Sequence, residues 1–382
     1  MALSNRANET DAAPSATAGP YIPALDGLRA LSVIAVMLFH LRIGYPGGFL
    51  GVDVFFVLSG YLISTILLRD YRSFGRIRFG HFYVRRVRRL MPALLATLVL
   101  TWAVWGLIPK AGPFLPAATA CLFYYANWYT CFNGSAAMSG LGHTWSLSIE
   151  EQFYIVWPVL LLALLVFCRT SKRQATVVFS LVGALAIMRA VLYCSNSMLG
   201  TYFSTLARAD AILIGAGCAL ATFERGGVQE FWAGRRGTLI AWACGITLVI
   251  LTAFMTQESD FLFMGGLSIV ALYAAAIMLH ITHSKNGLMT RLMASRFAVA
   301  IGKRSYGIYL YHFPIFIACG ALGTPTVWWQ TVGLNAVKIS ITLLIAWLSY
   351  RFIERPFLSK SNPRYFAKPA TRPAVLSEST AS

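Results

Sequence analysis

The sequence is poor in charge and poorer still in acid. Charged residues make up 12% of its 382 residues, where soluble domains have about one quarter, and 14 acidic side chains face 32 lysines and arginines. Hydrophobic residues supply 57% of the chain and occur in long runs, not in the amphipathic stripes of a soluble protein. These proportions exclude an ordinary soluble domain and predict an all-α polytopic membrane protein.

Other familiar signals are missing as well. The seven cysteines show no metal-ligand or redox spacing, so we expect no metal site and interpret most of them as small apolar core residues. Cys121 and Cys131 could still pair on an oxidising face. No linker-like break interrupts residues 21–357, which favours one membrane domain. Residues 1–20 lack the basic start and apolar core of a signal peptide, and we expect a disordered cytoplasmic tail there and a polar one at 358–382.

Basic residues orient the predicted spans. The stretch after the second apolar run carries eight arginines against Asp70 alone, so the positive-inside rule places it in the cytoplasm. Both termini then lie inside and His40 lies near the outer face. A further run, 114–128, is short and starts near two prolines, and we predict a re-entrant or outer-surface helix. The ten predicted spans are 22–40, 50–68, 91–109, 150–168, 175–193, 205–223, 237–255, 261–282, 298–320 and 333–352.

Arg29 and His40 stand out because both lie in the first apolar run. An ionisable side chain at bilayer depth costs roughly 2.5–3.5 kcal/mol, so a helix that carries two is expected to use them. Eleven helical steps place the two on one face about 16 Å apart. A histidine accepts protons near neutral pH, so we predict His40 as general base, with an interfacial histidine as the alternative. Asp26, three residues before Arg29, could simply neutralise it.

Acidic residues near the predicted outer ends are candidates to support His40. Asp53 and Glu150 begin the second and fourth spans, and we predict that one of them orients His40. Glu151 fits a capping box with Ser148, which leaves Glu150 as the freer carboxylate.

Further polar positions give candidates for substrate contacts. Ser59 and Gly60 are interpreted as helix-packing residues. The predicted substrate-binding residues are Glu151, Arg208, Asp210 and His312. His312 shares a helix face with Ser305 and Tyr309, and either a buried core position or a pore-lining one fits it.

Four arginines next to the third span could bind phosphate. Guanidinium groups grip phosphates bidentately, so this cluster could hold the nucleotide phosphates of a cytoplasmic donor. Anchoring to anionic lipid is the alternative. The predicted donor-binding residues are Arg85, Arg86, Arg88, Arg89, Ser305 and Tyr306.

An ordered set of motifs resembles the membrane-bound acyltransferase-3 family, whose members are O-acyltransferases of surface glycans, lipid-linked sugars and some secondary metabolites. Any single motif is weak, but their order along nearly the whole hydrophobic chain is specific. The motifs are LDGLRA at 25–30 through His40, GGFLGVDVFFVLSG at 47–60, FYVRRVRRLMP at 82–92, HTWSLSIEEQFY at 143–154, RAD at 208–210, SYGIYLYH at 305–312 and ERP at 354–356.

The resemblance implies ten spans, an essential histidine with a basic residue ahead of it, and a cytoplasmic arginine motif. These would be His40, Arg29, and either Arg86 with Arg89 or Arg85 with Arg88. It also implies acyl-CoA, most simply acetyl-CoA, as a donor substrate and no permanently bound cofactor. The pantetheine arm would thread a tunnel toward a hydroxyl of a carbohydrate or glycolipid at the outer face of the plasma (inner) membrane. Arg29 would stabilise the thioester oxygen or position the donor arm. Direct transfer and an acyl-histidine intermediate both remain open.

Partners and alternatives follow from the same comparison. Some family members append a periplasmic hydrolase-like domain, whereas 25 residues follow the predicted membrane domain 21–357. We therefore expect the membrane domain to complete transfer or to pass the acyl group to a separate partner. The expected partners are the lipid bilayer, the glycan acceptor and acyl-CoA, with no nucleic acid. The alternatives are a transporter or flippase of a lipid-linked sugar, a scaffold subunit of a glycan-export complex, and an acyltransferase of a small secondary metabolite. No internal repeat supports the transporter.

Overall fold

The computed structural model describes residues 21–105, 113–195, 198–224, 226–321, 323 and 325–361. These residues are overwhelmingly helical and contain no β-strand, which confirms the predicted all-α class. The predicted tail 1–20 lies outside the described residues, as does most of the predicted tail 358–382.

Seventeen α-helices are present among the described residues. The first six are α1 Pro23–Leu41, α2 Gly51–Phe74, α3 Phe79–Trp105, α4 Phe114–Leu122, α5 Ala126–Asn133 and α6 Trp145–Phe167. The next six are α7 Ser171–Ser195, α8 Met198–Phe203, α9 Thr205–Phe223, α10 Gly227–Ala233, α11 Arg235–Phe254 and α12 Leu267–His283. The last five are α13 Leu288–Met293, α14 Arg296–Gly302, α15 Ser305–Ala321, α16 Trp328–Ser349 and α17 Arg355–Ser361.

Shorter helical turns extend several of these helices. Turns of the 3₁₀ type lie before α2 and α6, and π-helical turns lie before α12 and after α16. The 3₁₀ turns are Gly48–Leu50, Ser135–Met138 and Gly142–Thr144, and the π turns are Leu262–Gly266 and Tyr350–Glu354.

Nine helices of the described chain are long and apolar enough to cross a membrane. They correspond to nine of the ten predicted spans, and the protein is a multi-pass membrane protein. The remaining predicted span, 298–320, is divided into α14 and the 17-residue α15. The Arg304 guanidinium donates to the Ala300 carbonyl at 2.6 Å, so a cationic side chain satisfies a carbonyl near the end of α14.

Helix α3 begins much earlier than the predicted span 91–109. It starts at Phe79, and the cluster of four arginines therefore lies within a helix, not in the predicted loop. Hydropathy locates the apolar part of a helix but not its end, and arginine is a good helix former. The four arginine side chains consequently have fixed positions on a single helix.

The segment 114–128 forms two short helices, α4 and α5, of nine and eight residues. Tyr124 between them has a positive φ of 56°, which turns the chain. Helices of this length reach only about 13 Å and cannot cross a bilayer. The prediction of a segment that does not span is therefore consistent with the structure.

Cys121 and Cys131 are not joined to each other. The Cys121 sulfur lies 3.0 Å from Thr144 Oγ1, and the Cys131 sulfur lies 3.8 Å from the Gly200 carbonyl oxygen. Both thiols are free. The possible disulfide considered from the sequence is absent from this structure.

Close packing of α2 on α9 depends on two glycines. A methyl group on Gly60 would lie 1.8 Å from the Ile212 carbonyl oxygen, and one on Gly215 would lie 2.0 Å from the Val57 carbonyl oxygen. Neither distance is possible, so any larger residue separates the helices. The sequence-based interpretation of Gly60 as a packing residue is confirmed.

We predict that Gly60→Ala destabilises the protein by about 1–3 kcal/mol, because the added methyl group overpacks this contact. Gly183→Ala in α7 is the matched control, since a Cβ there meets no atom within 4 Å. The control should leave stability unchanged or raise it by up to about 1 kcal/mol, because alanine is the better helix former. Thermal unfolding of the purified variants measures both. Equal melting temperatures would contradict the close α2–α9 contact.

Candidate active site

Three histidines from distant parts of the sequence form one cluster. His40 lies in the last turn of α1, His143 in the 3₁₀ turn before α6, and His312 in α15. The ring centre of His312 is 5.0 Å from that of His40 and 5.2 Å from that of His143. The Phe313 ring contacts these two histidines at 4.9 and 5.2 Å. His143 and His312 are buried, whereas His40 is half-buried and is the most accessible of the three.

Hydrogen bonds fix the tautomers of neutral His312 and His40. A carbonyl oxygen only accepts, so His312 Nδ1 donates to the Tyr309 carbonyl at 2.6 Å, and the lone pair of His312 lies on Nε2. That atom is 3.0 Å from His40 Nδ1, which also lies 3.0 Å from the Val36 carbonyl oxygen. His40 Nδ1 therefore carries the proton. Its Nε2 keeps the lone pair that a base or a nucleophile needs.

Asp53 contacts Arg208 and not His40, which it was predicted to orient. Its Oδ1 atom is 2.9 Å from Arg208 Nη2, and both side chains are almost fully buried, so the contact that orients His40 comes from His312 instead. Arginine stays charged in proteins, and a buried arginine therefore requires a nearby carboxylate. Three aromatic rings surround this guanidinium at 4.9, 5.6 and 5.8 Å, those of Tyr202, Trp145 and Phe56.

Glu150 also has partners other than His40. It accepts hydrogen bonds from Ser59 Oγ at 3.1 Å and from the Tyr154 hydroxyl at 3.3 Å. Ser59, which was interpreted as a packing residue, also lines a cavity together with Glu150. It lies one residue before Gly60, and one helical step of about 100° turns it away from the α2–α9 contact.

A cavity of about 110 Å³ lies among α1, α2, α3, α6 and α15. Its wall includes Ser146 and Tyr309, whose hydroxyl oxygens are 2.6 Å apart. The Tyr309 hydroxyl donates to the His143 carbonyl at 2.8 Å, and the Tyr309 carbonyl holds His312. Three guanidinium groups line the same cavity: Arg29, Arg86 and Arg89. One cavity wall therefore joins the arginines to the residues that hold the histidine cluster.

Arg29 is both paired and exposed to the cavity. Its Nη1 atom lies 3.0 Å from Asp26 Oδ1, and its side chain is 20% exposed. Neutralisation by Asp26 and a functional position were alternatives on sequence grounds. In the structure the two coexist.

Arg86 pairs with Glu151 inside the bundle. The Arg86 Nη2 atom is 2.8 Å from Glu151 Oε1, and the guanidinium lies 3.4 Å above the Tyr154 ring. Glu151 therefore does not form the capping box that the sequence suggested. The helix begins at Trp145, because the preceding 3₁₀ turn runs directly into α6, and Glu151 lies in its second turn.

The structure separates the two possible arginine pairs of α3. Arg86 and Arg89 are three residues apart, share a helix face and line the cavity. Arg85 and Arg88 are not among the lining residues. Arg88 and Arg89 are both exposed, so the cavity wall and not exposure distinguishes the two pairs. The predicted donor-binding residues Ser305 and Tyr306 of α15 line the cavity as well, and the Tyr306 hydroxyl donates to the Leu90 carbonyl at 3.0 Å.

Asp210 belongs to a buried network that does not line the cavity. Its Oδ2 atom is 2.6 Å from Arg189 Nη1 and accepts a hydrogen bond from Ser268 Oγ at 2.5 Å. Arg189 Nη2 donates to the same hydroxyl at 2.7 Å. Three helices, α7, α9 and α12, are joined in this way. Substrate binding by Asp210 and by Arg208 remains a prediction.

Sequence reasoning missed His143. The residue appeared in the motif at 143–154, but its place before the predicted span at 150 gave it no role. Its contacts with His312 and Tyr309 are made across 169 and 166 positions of the chain, so no local pattern reveals them. The only local signal was a histidine close to the predicted outer end of a span.

Comparisons with known proteins identify the family to which this chain belongs. The chain matches the family described as an acyltransferase domain over residues 22–351. It is 36% identical over 354 residues to "Putative peptidoglycan O-acetyltransferase YrhL" of Bacillus subtilis, covering 88% of this chain and 55% of the relative. It is 35% identical over 362 residues to the peptidoglycan O-acetyltransferase OatA of Listeria monocytogenes, covering 91% and 57%. No solved structure matches the chain.

The protein therefore belongs to this family of membrane acyltransferases, and the resemblance inferred from the motifs is confirmed. The chain spans little more than half the length of the two curated relatives. Their names describe O-acetylation of peptidoglycan, and what they act on is a property of those longer proteins.

Proposed function

We propose that this protein is an O-acyltransferase that moves an acyl group from acyl-CoA, bound at the arginines, to a glycan hydroxyl at the histidine cluster. The observation that carries the proposal is the single cavity with Arg29, Arg86 and Arg89 in its wall. The same wall contains Tyr309, whose hydroxyl and carbonyl groups hold His143 and His312. A donor anchored by its phosphates could thus extend its thioester toward His40.

Sidedness follows from the positive-inside rule. The arginine-rich start of α3 would face the cytoplasm, the histidine cluster would face the outer side of the plasma (inner) membrane, and both termini would be cytoplasmic. Acyl-CoA is a cytoplasmic compound, whereas a surface glycan lies outside. Transfer would therefore cross the membrane through the bundle.

The acyl-transfer step centres on His40. The acceptor hydroxyl oxygen attacks the thioester carbonyl carbon, and its proton passes to the lone pair on His40 Nε2. The carbon–sulfur bond then breaks, and the leaving thiolate of CoA takes that proton. His312 is a positioning residue, because its Nε2 lone pair holds His40 Nδ1 in the protonated form. An acyl-His40 intermediate would use the same Nε2 lone pair.

The donor would be held at several points along the cavity. Arg29 lies about 16 Å below His40 along α1, so it is placed to bind donor phosphate and not the thioester oxygen. Arg89 shares that task, while Glu151 and the Tyr154 ring fix the guanidinium of Arg86. Glu150 and Ser59 offer hydrogen-bond acceptors to the amide N–H groups of the pantetheine arm.

The acceptor and the acyl group are proposed from the relatives. YrhL and OatA carry peptidoglycan O-acetyltransferase in their names, so acetyl-CoA and a peptidoglycan sugar are the first pair to test. Family membership weighs against the transporter and scaffold alternatives.

We predict that His40→Ala lowers acetyl transfer by about 10²–10⁴-fold, because the general base is lost. His283→Ala is a matched control. His283 is also half-buried in the last turn of its helix, and its Nδ1 contacts the carbonyl four residues earlier, at 2.8 Å, as His40 Nδ1 contacts Val36. The control should keep wild-type activity. Release of CoA and mass of the acetylated glycan fragment measure both reactions.

The opposite outcome would refute the assignment of His40. Wild-type transfer by a folded His40→Ala protein would show that the base lies elsewhere. If the wild-type protein itself released no CoA with any glycan hydroxyl, the whole proposed function would fail.

A second prediction concerns the donor phosphates. Arg89→Lys keeps the charge but loses the bidentate fork, so we expect CoA to bind about tenfold more weakly, a loss of about 1.4 kcal/mol. Arg88→Lys, on the adjacent residue outside the cavity wall, should bind CoA like the wild type. Calorimetric titration of CoA into the purified wild-type and variant proteins measures these affinities. Equal affinities would mean that Arg89 only anchors the helix to lipid.

A further inference from the structure

His143 is held firmly within the histidine cluster. It is 3% exposed, and its ring centre is 5.2 Å from those of His312 and Phe313 and 5.4 Å from that of Tyr309. Its own carbonyl oxygen accepts the Tyr309 hydroxyl at 2.8 Å. Both the ring and the backbone of this residue are therefore fixed beside the proposed reaction centre.

One nitrogen of His143 is satisfied and the other is not. The Nε2 atom lies 3.1 Å from the Leu310 carbonyl oxygen, so it carries the proton and donates it. In the neutral ring the lone pair then lies on Nδ1. That atom is buried and has no hydrogen-bond partner in the described part of the chain.

A buried acceptor without a partner is costly. Its desolvation penalty is about 1–3 kcal/mol, and buried polar atoms in native proteins normally have a hydrogen-bond partner. A lone pair requires an N–H or O–H donor. The thioester group itself has neither, and the nearest pantetheine N–H is separated from its sulfur by two methylene groups, whereas a sugar presents several hydroxyl groups around the reacting one.

We propose that His143 Nδ1 is a binding site for the acceptor and receives a hydrogen bond from one of its hydroxyl groups. This inference rests on the proposed function and deepens it by defining the acceptor class. A ligand with one hydroxyl at His40 Nε2 and a second at His143 Nδ1 is a polyol such as a sugar. Two imidazoles with opposite tautomers thus contribute one acceptor atom each.

Two substitutions test the roles of the two His143 nitrogen atoms independently. The amide nitrogen of glutamine is as many bonds from Cβ as Nε2, so His143→Gln can keep the bond to Leu310 but lacks an acceptor at the position of Nδ1. The amide oxygen of asparagine is as far from Cβ as Nδ1, so His143→Asn keeps that acceptor and loses the bond to Leu310. If His143 is purely structural, His143→Asn should lower activity more than His143→Gln. If His143 binds the acceptor, His143→Gln should lower activity more.

The experiment measures CoA release and glycan acetylation with purified wild-type and variant proteins, across concentrations of acetyl-CoA and of a peptidoglycan disaccharide. We expect His143→Gln to raise KM for the disaccharide at least tenfold with KM for acetyl-CoA unchanged. His143→Asn should stay within about threefold of the wild-type KM for the disaccharide. A wild-type KM for the disaccharide in His143→Gln, or a larger rise in His143→Asn than in His143→Gln, would overturn the inference.

Deoxy analogues of the disaccharide, each lacking one hydroxyl, test the inference even if a variant does not fold. For the wild-type protein, kcat/KM should be about tenfold lower with one deoxy analogue than with the complete disaccharide, although that analogue keeps its reacting hydroxyl. For His143→Gln, kcat/KM should be the same with that analogue as with the complete disaccharide. Equal kcat/KM for every such analogue in the wild type would contradict the binding role. Absence of any CoA release by the wild type would instead refute the proposed function itself.

Discussion

Arg86 of α3 and Glu151 of α6 pair at 2.8 Å inside the helical bundle, and the arrangement of the candidate active site depends on this contact. A guanidinium at this depth keeps its charge, and leaving it unpaired would cost several kcal/mol. Arg189 with Asp210 and Arg208 with Asp53 meet the same requirement among α2, α7 and α9. Buried ion pairs thus favour these helix neighbours, in addition to the close glycine contact between α2 and α9.

The Arg86–Glu151 pair also places the arginines beside the same cavity as Tyr309, which holds two residues of the histidine cluster. It draws the arginine face of α3 against the first turns of α6, the helix that begins beside His143. The phosphate-binding candidates consequently share a cavity wall with Tyr309, whose hydroxyl and carbonyl groups hold His143 and His312. Under the proposed function, the charged end of acyl-CoA would bind the arginines of this wall and its thioester would extend toward the histidine cluster.

The sequence was informative where a single helix carries the signal. Apolar runs located the spans, and the spacing of Arg29 and His40 marked one helix face. Contacts between helices could not be predicted from the sequence, because no local sequence pattern shows that Glu151 contacts Arg86 or that His312 contacts His40. Hydropathy also missed the polar start of α3, because it does not locate the end of a helix. The capping pattern misplaced Glu151, because α6 begins at Trp145 and not after Ser148. The motif order supplied the family, which no spacing rule alone could give.

Transfer across the membrane is the central claim, and proteoliposomes with the protein in one known orientation test it most directly. Acetyl-CoA is sealed on the side of the α3 arginines, a membrane-impermeant peptidoglycan disaccharide is supplied on the side of His40, and the acetylated disaccharide is measured by mass spectrometry. The account predicts product in this arrangement and none when the two compounds exchange sides. Product that forms only when donor and acceptor share one side would contradict a cavity that carries the acyl group across the bundle.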